Sequence, residues 1–226
     1  MMNSKMIRAI DFFISILIFL ISLPLTIISF LLIFIFDNSP IIFRSDRIGY
    51  QKKSIIVYKF RTMNSSNSSG VTLINDSRVT RLGAIIRKFK IDELPQFLNI
   101  FKNQLCLVGP RPENIKYLSS NTHYFNYLNR VKPGIIDLVT ILFVNESQFL
   151  LSEKHYIDEI LPFKSKIHNK MYQKYSLTDF LLPIILTPLA IIYPTKVQKF
   201  VIKYFVNSKY IDIKEKEYIE SFIMQN

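Results

Sequence analysis

Two adjacent carboxylates, Asp92 and Glu93, stand where a helical pattern begins, in the segment DELPQFLNIFKNQ. Pro95 falls in the first turn of that pattern, the one place in a helix where its missing N–H costs little. Neighbouring helical side chains project about 100° apart, so we expect the two acids to do different work. The alternative is structural, because acids at a helix start also complement the helix dipole.

Basic side chains lie within about twenty residues of this acid pair: Arg78, Arg81, Arg87, Lys88 and Arg111. Carboxylates among cations suit phosphoryl transfer, which needs positioning and charge neutralisation. One acid can attack phosphorus while the other orients Mg²⁺ or substrate. Prolines on both sides of Arg111, in VGPRPE, fix the direction of a side chain that binds phosphate well. The alternative there is a stiffened loop in which Arg111 pairs with Glu113.

The composition of the 226 residues limits the partners and the compartment. A formal net charge of +12 predicts an anionic partner, which can be nucleic acid, an acidic membrane surface or a phosphorylated substrate. The single cysteine, Cys106, excludes an internal disulfide and favours a cytosolic domain. The histidines do not have the close pair spacing of zinc ligands.

Two elements are predicted to position the basic residues. The segment SIIVYKF, Ser54 to Phe60, is typical of a short strand, and the period of two would bring Lys59 and Arg61 to one side of its end. From Arg78 to Lys90, apolar residues recur at helical spacing with basic residues between them, which predicts a basic amphipathic helix.

The segment between Asp11 and Asp37 contains no charged residue. Its roughly 25 residues would form a helix of about 37 Å, long enough for a hydrocarbon core of about 30 Å. Pro24 near the midpoint and basic residues at both flanks favour a re-entrant hairpin with its break at Ser22 and Pro24. A single kinked span is the alternative. We therefore expect a membrane anchor over 1–40 and a cytosolic domain over 41–226.

A second apolar stretch runs from Phe180 to Pro194 and is interrupted by Pro183 and Pro188. It is too short to cross a membrane comfortably. Lysines and tyrosines on both sides predict a segment in the headgroup layer, with core packing or a solvated helical face as alternatives.

Three stretches, taken together, resemble the bacterial sugar transferase family, the monotopic phosphoglycosyl transferases. They are YKFRTM at 58–63, DSRVTRLGAIIRKFKIDELPQFLNIFKNQLCLVGPRPE at 76–113, and VKPGI at 131–135. The similarity lies in the order, the spacing and the identity of the motif residues, and it covers about a third of the chain.

The resemblance implies a mostly helical α/β fold with a re-entrant membrane helix and a small cytosolic catalytic domain with interfacial helices. It implies transfer of a sugar-1-phosphate from a UDP-sugar to polyprenyl phosphate, on the cytoplasmic face of the bacterial inner membrane and in contact with its lipid. Mg²⁺ is the implied cofactor, with Asp92 and Glu93 as its ligands. Nucleic acid is not an expected partner, and a homodimer is left open.

The resemblance also implies roles for single residues. Asp92 matches the family's nucleophile, which carries the sugar phosphate covalently and releases UMP, and Glu93 matches its partner acid. Arg111 matches the arginine of the Gly-Pro-Arg-Pro motif near the phosphates. The remaining basic residues match positions that line the site: Lys59, Arg61, Arg78, Arg81 and Arg87.

The chain departs from the family's pattern at three places, one of which is Cys106 in place of a usual serine. The helix break is usually Ser-Pro, whereas here Leu23 separates Ser22 from Pro24. The sequence after Ile135 is also different, which leaves the sugar undetermined and keeps a non-catalytic scaffold as an alternative. A membrane-tethered binding protein for nucleic acid or lipid is the other rival, and it would not need Asp92.

Overall fold

A computed structural model describes residues 4–37, 40–64, 76–119, 121–144, 146, 150 and 152–224. These residues are mostly helical and form two small sheets. The α-helices are α1 Ser4–Phe36, α2 Arg81–Lys88, α3 Phe97–Phe101, α4 Leu138–Leu142, α5 Glu153–His155, α6 Leu161–Met171, α7 Leu177–Ile192, α8 Pro194–Asn207 and α9 Ile213–Met224. The strands are β1 Ile42–Ile48, β2 Ser54–Phe60, β3 Cys106–Val108 and β4 Gly134–Ile136.

Helix α1 contains the uncharged segment and continues through Pro24 without interruption. The helix break predicted at Ser22 and Pro24 is therefore not present in the described helix. Over Met6–Phe36 its mean hydropathy is 2.9, long and apolar enough to cross a membrane, and only 11% of its most apolar window is buried. A helix in a soluble core would be mostly covered, so this exposed apolar surface is consistent with membrane association. The hydroxyl of Ser22 donates to the carbonyl of Phe19 at 3.0 Å.

Both ends of α1 contact the rest of the protein. Near its start, the carboxylate of Asp11 accepts hydrogen bonds from the backbone N–H groups of Leu107 at 2.9 Å and Val108 at 3.0 Å, in β3. Near its end, Ile33 is fully buried in a cluster with Phe60 and Ile86. The helix is therefore attached to one folded body through both of its halves.

Strands β1 and β2 form an antiparallel pair with Ile42 opposite Phe60 and Ile48 opposite Ser54. The observed bounds of β2 are those predicted from the sequence. Strand β2 ends beside the turn that carries the two acids, and buried Val57 joins the cluster of α3 and β3. This sheet therefore supplies one side of the candidate site.

The second sheet pairs β3 and β4 in parallel, with Cys106 opposite Gly134. Two glycines meet where these strands continue: a Cβ on Gly134 would lie 2.3 Å from the backbone nitrogen of Gly109. Only glycine fits such a close approach. The contact fixes the loop that follows β3, which carries Arg111.

The largest core cluster lies in the second half of the chain, between α4, α6, α8 and the turns before them. Phe125, Leu138, Val201 and Phe205 are fully buried there. The buried Asp137 carboxylate lies 2.5 Å from Nε2 of His168 and accepts from the backbone of Thr140. This half of the protein forms the second side of the site.

Candidate active site

A 3₁₀ turn, Ile91–Gln96, carries the acid pair and leads into α3. The sequence predicts one helix from Asp92 onward, and Pro95 inside this turn explains the tighter start, because proline removes a backbone donor. Lys90 precedes the turn in the left-handed conformation at φ 57°. Asp92 is 7% and Glu93 8% exposed, so neither acid is an ordinary surface residue at a helix start.

The acid pair lies in a cleft of about 240 Å³. Among the described residues, eight basic side chains line it: Arg47, Lys59, Arg61, Arg78, Arg87, Lys90, Arg111 and Lys164. Four acids of the same described ranges line it as well: Asp92, Glu93, Glu113 and Glu146. Because cations outnumber carboxylates by two to one, the cleft is suited to a polyanionic ligand such as a diphosphate.

Glu93 is bound on both oxygens. Arg111 donates from Nη1 to Oε2 at 2.9 Å and from Nη2 to Oε1 at 2.5 Å, while Nζ of Lys59 lies 3.4 Å from Oε1. Burial alone would raise the pKa of Glu93, but the charges of Arg111 and Lys59 outweigh it and hold the pKa well below its usual range. Arg111 therefore pairs with Glu93, and the expected alternative partner, Glu113, instead accepts from Tyr156 at 2.6 Å.

Asp92 is placed differently from its neighbour. Its Oδ1 is buried without a hydrogen-bond partner among the described residues. Burial raises the pKa of Asp92, Glu93 adds to that effect, and the charges of Lys59, Lys90 and Arg87 oppose it. The sequence argument that the two acids do different work agrees with this geometry: Glu93 holds cations, and Asp92 offers a free acceptor.

The basic residues predicted from the sequence occupy different positions. Lys59 is in β2 and Arg61 directly follows it, and both line the cleft. Arg78 lines the cleft but is also bound to Asp76, at 2.7 Å from Nε and 2.5 Å from Nη2. Nη1 of Arg87 lies 3.4 Å from the hydroxyl of Thr62.

Arg81 is not among the residues that line the cleft. It is exposed as the first residue of α2, whereas Arg87 faces the cleft six positions later. Six residues turn an α-helix through about 600°, so the two side chains point about 120° apart. Arg81 and Arg87 are close in the sequence, but the helix directs them to different sides.

Several cleft residues were not singled out from the sequence. Arg47 lies in β1, and burial lowers the pKa of its guanidinium while Glu113 opposes that effect. Lys164 and Glu146 come from the second half of the chain, outside the recognisable motifs. Lys90 could have been identified as a site residue from the sequence, because it lies two residues before Asp92 at the end of the predicted basic helix.

Buried acids, a dense set of cations and an attached apolar helix are consistent with a membrane-associated protein whose cleft suits an anionic ligand. The model of the family described as bacterial sugar transferase matches residues 2–174. The chain belongs to the bacterial sugar transferase family.

Three relatives illustrate the similarity. The uncharacterized sugar transferase EpsL of Bacillus subtilis (strain 168) is 46% identical over 99 residues, 43% of this chain and 49% of its own length. The UDP-N-acetylgalactosamine-undecaprenyl-phosphate N-acetylgalactosaminephosphotransferase of Aeromonas hydrophila is 37% identical over 118 residues, 50% of this chain and 28% of its own. The UDP-glucose:undecaprenyl-phosphate glucose-1-phosphate transferase of Escherichia coli (strain K12) is 36% identical over 142 residues, which are 59% of this chain and 30% of that protein's length. The chain thus spans half or less of the length of these relatives.

Proposed function

We propose that this protein transfers a sugar-1-phosphate from a UDP-sugar to undecaprenyl phosphate, or a similar polyprenyl phosphate, at the start of glycan assembly. Two of the similar proteins are named as undecaprenyl-phosphate sugar phosphate transferases, one for N-acetylgalactosamine and one for glucose. The observation that carries the proposal is Asp92, a buried carboxylate with an unpartnered oxygen inside a strongly basic cleft. Such a group is matched to attack at phosphorus while the surrounding cations neutralise the phosphates.

The reaction has two displacements. In the first, a carboxylate oxygen of Asp92 bonds to the β-phosphorus of the UDP-sugar, and the bond from that phosphorus to the bridging oxygen breaks, which releases UMP. In the second, a phosphate oxygen of the polyprenyl phosphate bonds to the same phosphorus, and the bond to Asp92 breaks. The product is a polyprenyl diphosphate sugar, and the Asp92 carboxylate is restored.

Glu93 and the cations act on the same phosphates in this proposal. Glu93 fixes the guanidinium of Arg111 through two hydrogen bonds, so Arg111 meets the donor already oriented. Lys59, near the same carboxylate, adds a second cation beside the reacting phosphorus. A pair held in this way loses little freedom when the diphosphate binds.

Mg²⁺ fits this cleft through Asp92. Mg²⁺ is usually held by one or two carboxylates together with substrate phosphates and water, and it neutralises charge on the phosphates. The orphaned Oδ1 of Asp92 is a suitable ligand atom. Binding by Glu93, as the resemblance implies, would require its bonds to Arg111 to open. The described residues show no group of three or more histidines, cysteines or acids suited to a metal.

We place the protein in the bacterial inner membrane with its catalytic domain on the cytoplasmic face. Two contacts of α1 support a re-entrant path: Asp11 binds β3, and Thr80 lies at hydrogen-bond distance, 3.4 Å, from Asp37. A straight helix between these acids would be about 39 Å long and would put them on opposite sides of a core of about 30 Å. Because both ends bind one body, we propose a path that returns to the same side, although α1 is continuous through Pro24.

Helix α7 supports an interfacial placement of the second apolar stretch. Its exposed apolar residues recur along one face: Leu177, Leu181, Ile185, Leu189 and Ile192. Its buried Phe180 packs in the cluster that also contacts Ile7, Ile14 and Ile18 of α1. Helix α7 therefore packs beside α1 through its buried side and leaves its apolar face exposed, as expected for a helix in the headgroup layer.

The test is release of UMP by purified protein with Mg²⁺, undecaprenyl phosphate and a panel of UDP-sugars. We expect UMP from at least one donor and at least a 1,000-fold loss in Asp92→Asn, a change that keeps the shape and removes the nucleophile. Arg81→Gln, outside the cleft, is the matched control and should retain activity. Release of UDP instead of UMP, or full activity of Asp92→Asn, would refute the proposal and favour a binding or scaffolding role.

A further inference from the structure

The cleft has a second wall, formed by chain that follows the recognisable motifs. Its central residue is Lys164 of α6, which is 7% exposed. The ammonium forms an ion pair with Glu146 and lies 5.0 Å from the ring centroid of Phe143 and 5.1 Å from that of Tyr156. A buried lysine between two aromatic rings is held firmly, and it holds Glu146 in turn.

Tyr156 ties this wall to the rest of the cleft. It begins a π-helical turn, Tyr156–Ile160, between α5 and α6, and such turns are rare and frequent at functional sites. Its hydroxyl donates to Oε1 of Glu113 at 2.6 Å. The described acids of the cleft are thus each bound to a cation or hydroxyl apart from Asp92. An ion-paired Glu146 no longer opposes phosphate, so its presence in a basic cleft needs another reason.

The proposed reaction assigns the two ends of the cleft to different parts of the donor. UMP leaves from the side of the phosphorus opposite Asp92, and the polyprenyl phosphate attacks from that same side. The acceptor comes from the membrane. Helix α2, which lines the cleft through Arg87, contacts α1 and exposes Ile85, and the next residue after α2, Phe89, is exposed as well. If the UMP half is directed toward α2, the sugar meets the wall of Glu146 and Lys164, which lines the same cleft as Asp92.

We propose that Glu146, positioned by Lys164, accepts hydrogen bonds from hydroxyl groups of the donor sugar and thereby selects it. The inference rests on the proposed function. A carboxylate oxygen accepts strongly from a sugar hydroxyl, and the rings of Phe143 and Tyr156 offer apolar surface to the C–H face of the ring. A site built to bind a hydroxyl discriminates strongly against a sugar that lacks it or presents it in another direction.

The test is binding of UDP-sugars and of UDP to the full-length protein in detergent, without acceptor. The probes are UDP-glucose, UDP-galactose, their N-acetylhexosamine counterparts and UDP itself. We expect the wild type to prefer one sugar over its epimer. Glu146→Gln should weaken binding of that sugar about 10- to 100-fold, the range for loss of a charged hydrogen bond, and leave UDP binding within about 2-fold. Lys164→Met should also weaken binding of the preferred UDP-sugar, because Glu146 loses the cation that positions it.

Lys166→Met is the matched control for Lys164. It is on the same helix but exposed, and it pairs with Glu215 outside the cleft. Equal binding of all UDP-sugars by the wild type would overturn the inference, as would a parallel loss of UDP and UDP-sugar binding in Glu146→Gln with an unchanged circular dichroism spectrum. Sugar-selective binding without UMP release would refute the proposed function and leave this assignment in place, so the two failures are distinguishable.

Discussion

Replacing Lys59 with methionine should make the protein more stable and less active. The ammonium of Lys59 lies in the cleft with its side chain 18% exposed. Burial lowers its pKa from 10.5 to about 8, although the charge of Glu93 works against that fall. One pKa unit corresponds to about 1.4 kcal/mol, so the folded protein carries a cost of about 3 kcal/mol for keeping this lysine charged.

The pH range of this cost follows from the two pKa values. Below about pH 8 the lysine is protonated in the folded and the unfolded state, and the full cost is present. Between about pH 8 and 10.5 the folded protein releases the proton before the unfolded chain does, so the cost declines and then disappears. Lys59→Met removes the charge with a similar volume. Its gain in the free energy of unfolding should be up to about 3 kcal/mol at pH 7 and near zero at pH 10.5.

The assay is thermal unfolding in detergent at both pH values, together with UMP release. A gain of about 3 kcal/mol raises the unfolding temperature of a chain of this size by roughly 6 to 12 °C. Activity should fall at least 10-fold, because a cation near the phosphates is lost. Lys53→Met, at an exposed position after β1, is the control and should change neither property. A destabilised Lys59→Met protein at pH 7, or a gain that persists at pH 10.5, would refute the reasoning.

Two further predictions concern α1 and the single cysteine. In sealed vesicles, an N-terminal epitope tag should be accessible to antibody from the same side as the catalytic domain, and protection of the tag with an accessible domain would establish a single crossing instead. Burial, with the nearby charge of Asp11, raises the pKa of the Cys106 thiol well above its usual range. Maleimide at pH 7.5 should therefore modify the folded protein at least 10-fold more slowly than the denatured protein, and equal rates would contradict that environment.

Local patterns in the sequence were sufficient for the elements nearest the chemistry. The β-branched and aromatic run predicted β2 with its observed bounds, and the basic amphipathic pattern after Asp76 predicted α2, which is shorter than expected at both ends. The turn of Asp92 was predicted as the start of a helix but is a 3₁₀ turn, because Pro95 limits the backbone. These features depend on residues close in sequence.

The second wall of the cleft could not be predicted in this way. Lys164 and Glu146 are 18 residues apart, and Tyr156 is 43 residues from its partner Glu113. Such contacts depend on how α6 packs on the large core, and periodicity within one segment carries no information about that packing. The family motifs also end before this region, so the resemblance gave no guidance there.

The arrangement of charge in the cleft supports the proposal that only one of the two adjacent acids attacks phosphorus. Glu93 is bound to Arg111 and Lys59, so its oxygens are less available for attack, and in the proposal it fixes these cations. Asp92 has no such partner on Oδ1, and burial makes its isolated charge costly. A bound metal ion or the phosphorus of a donor would relieve that cost. The same desolvation that destabilises the Asp92 carboxylate in the free protein therefore favours the state in which it is bonded. We expect the double variant Asp92→Glu with Glu93→Asp to lack both the proposed attack by position 92 and the orientation of Arg111 by position 93.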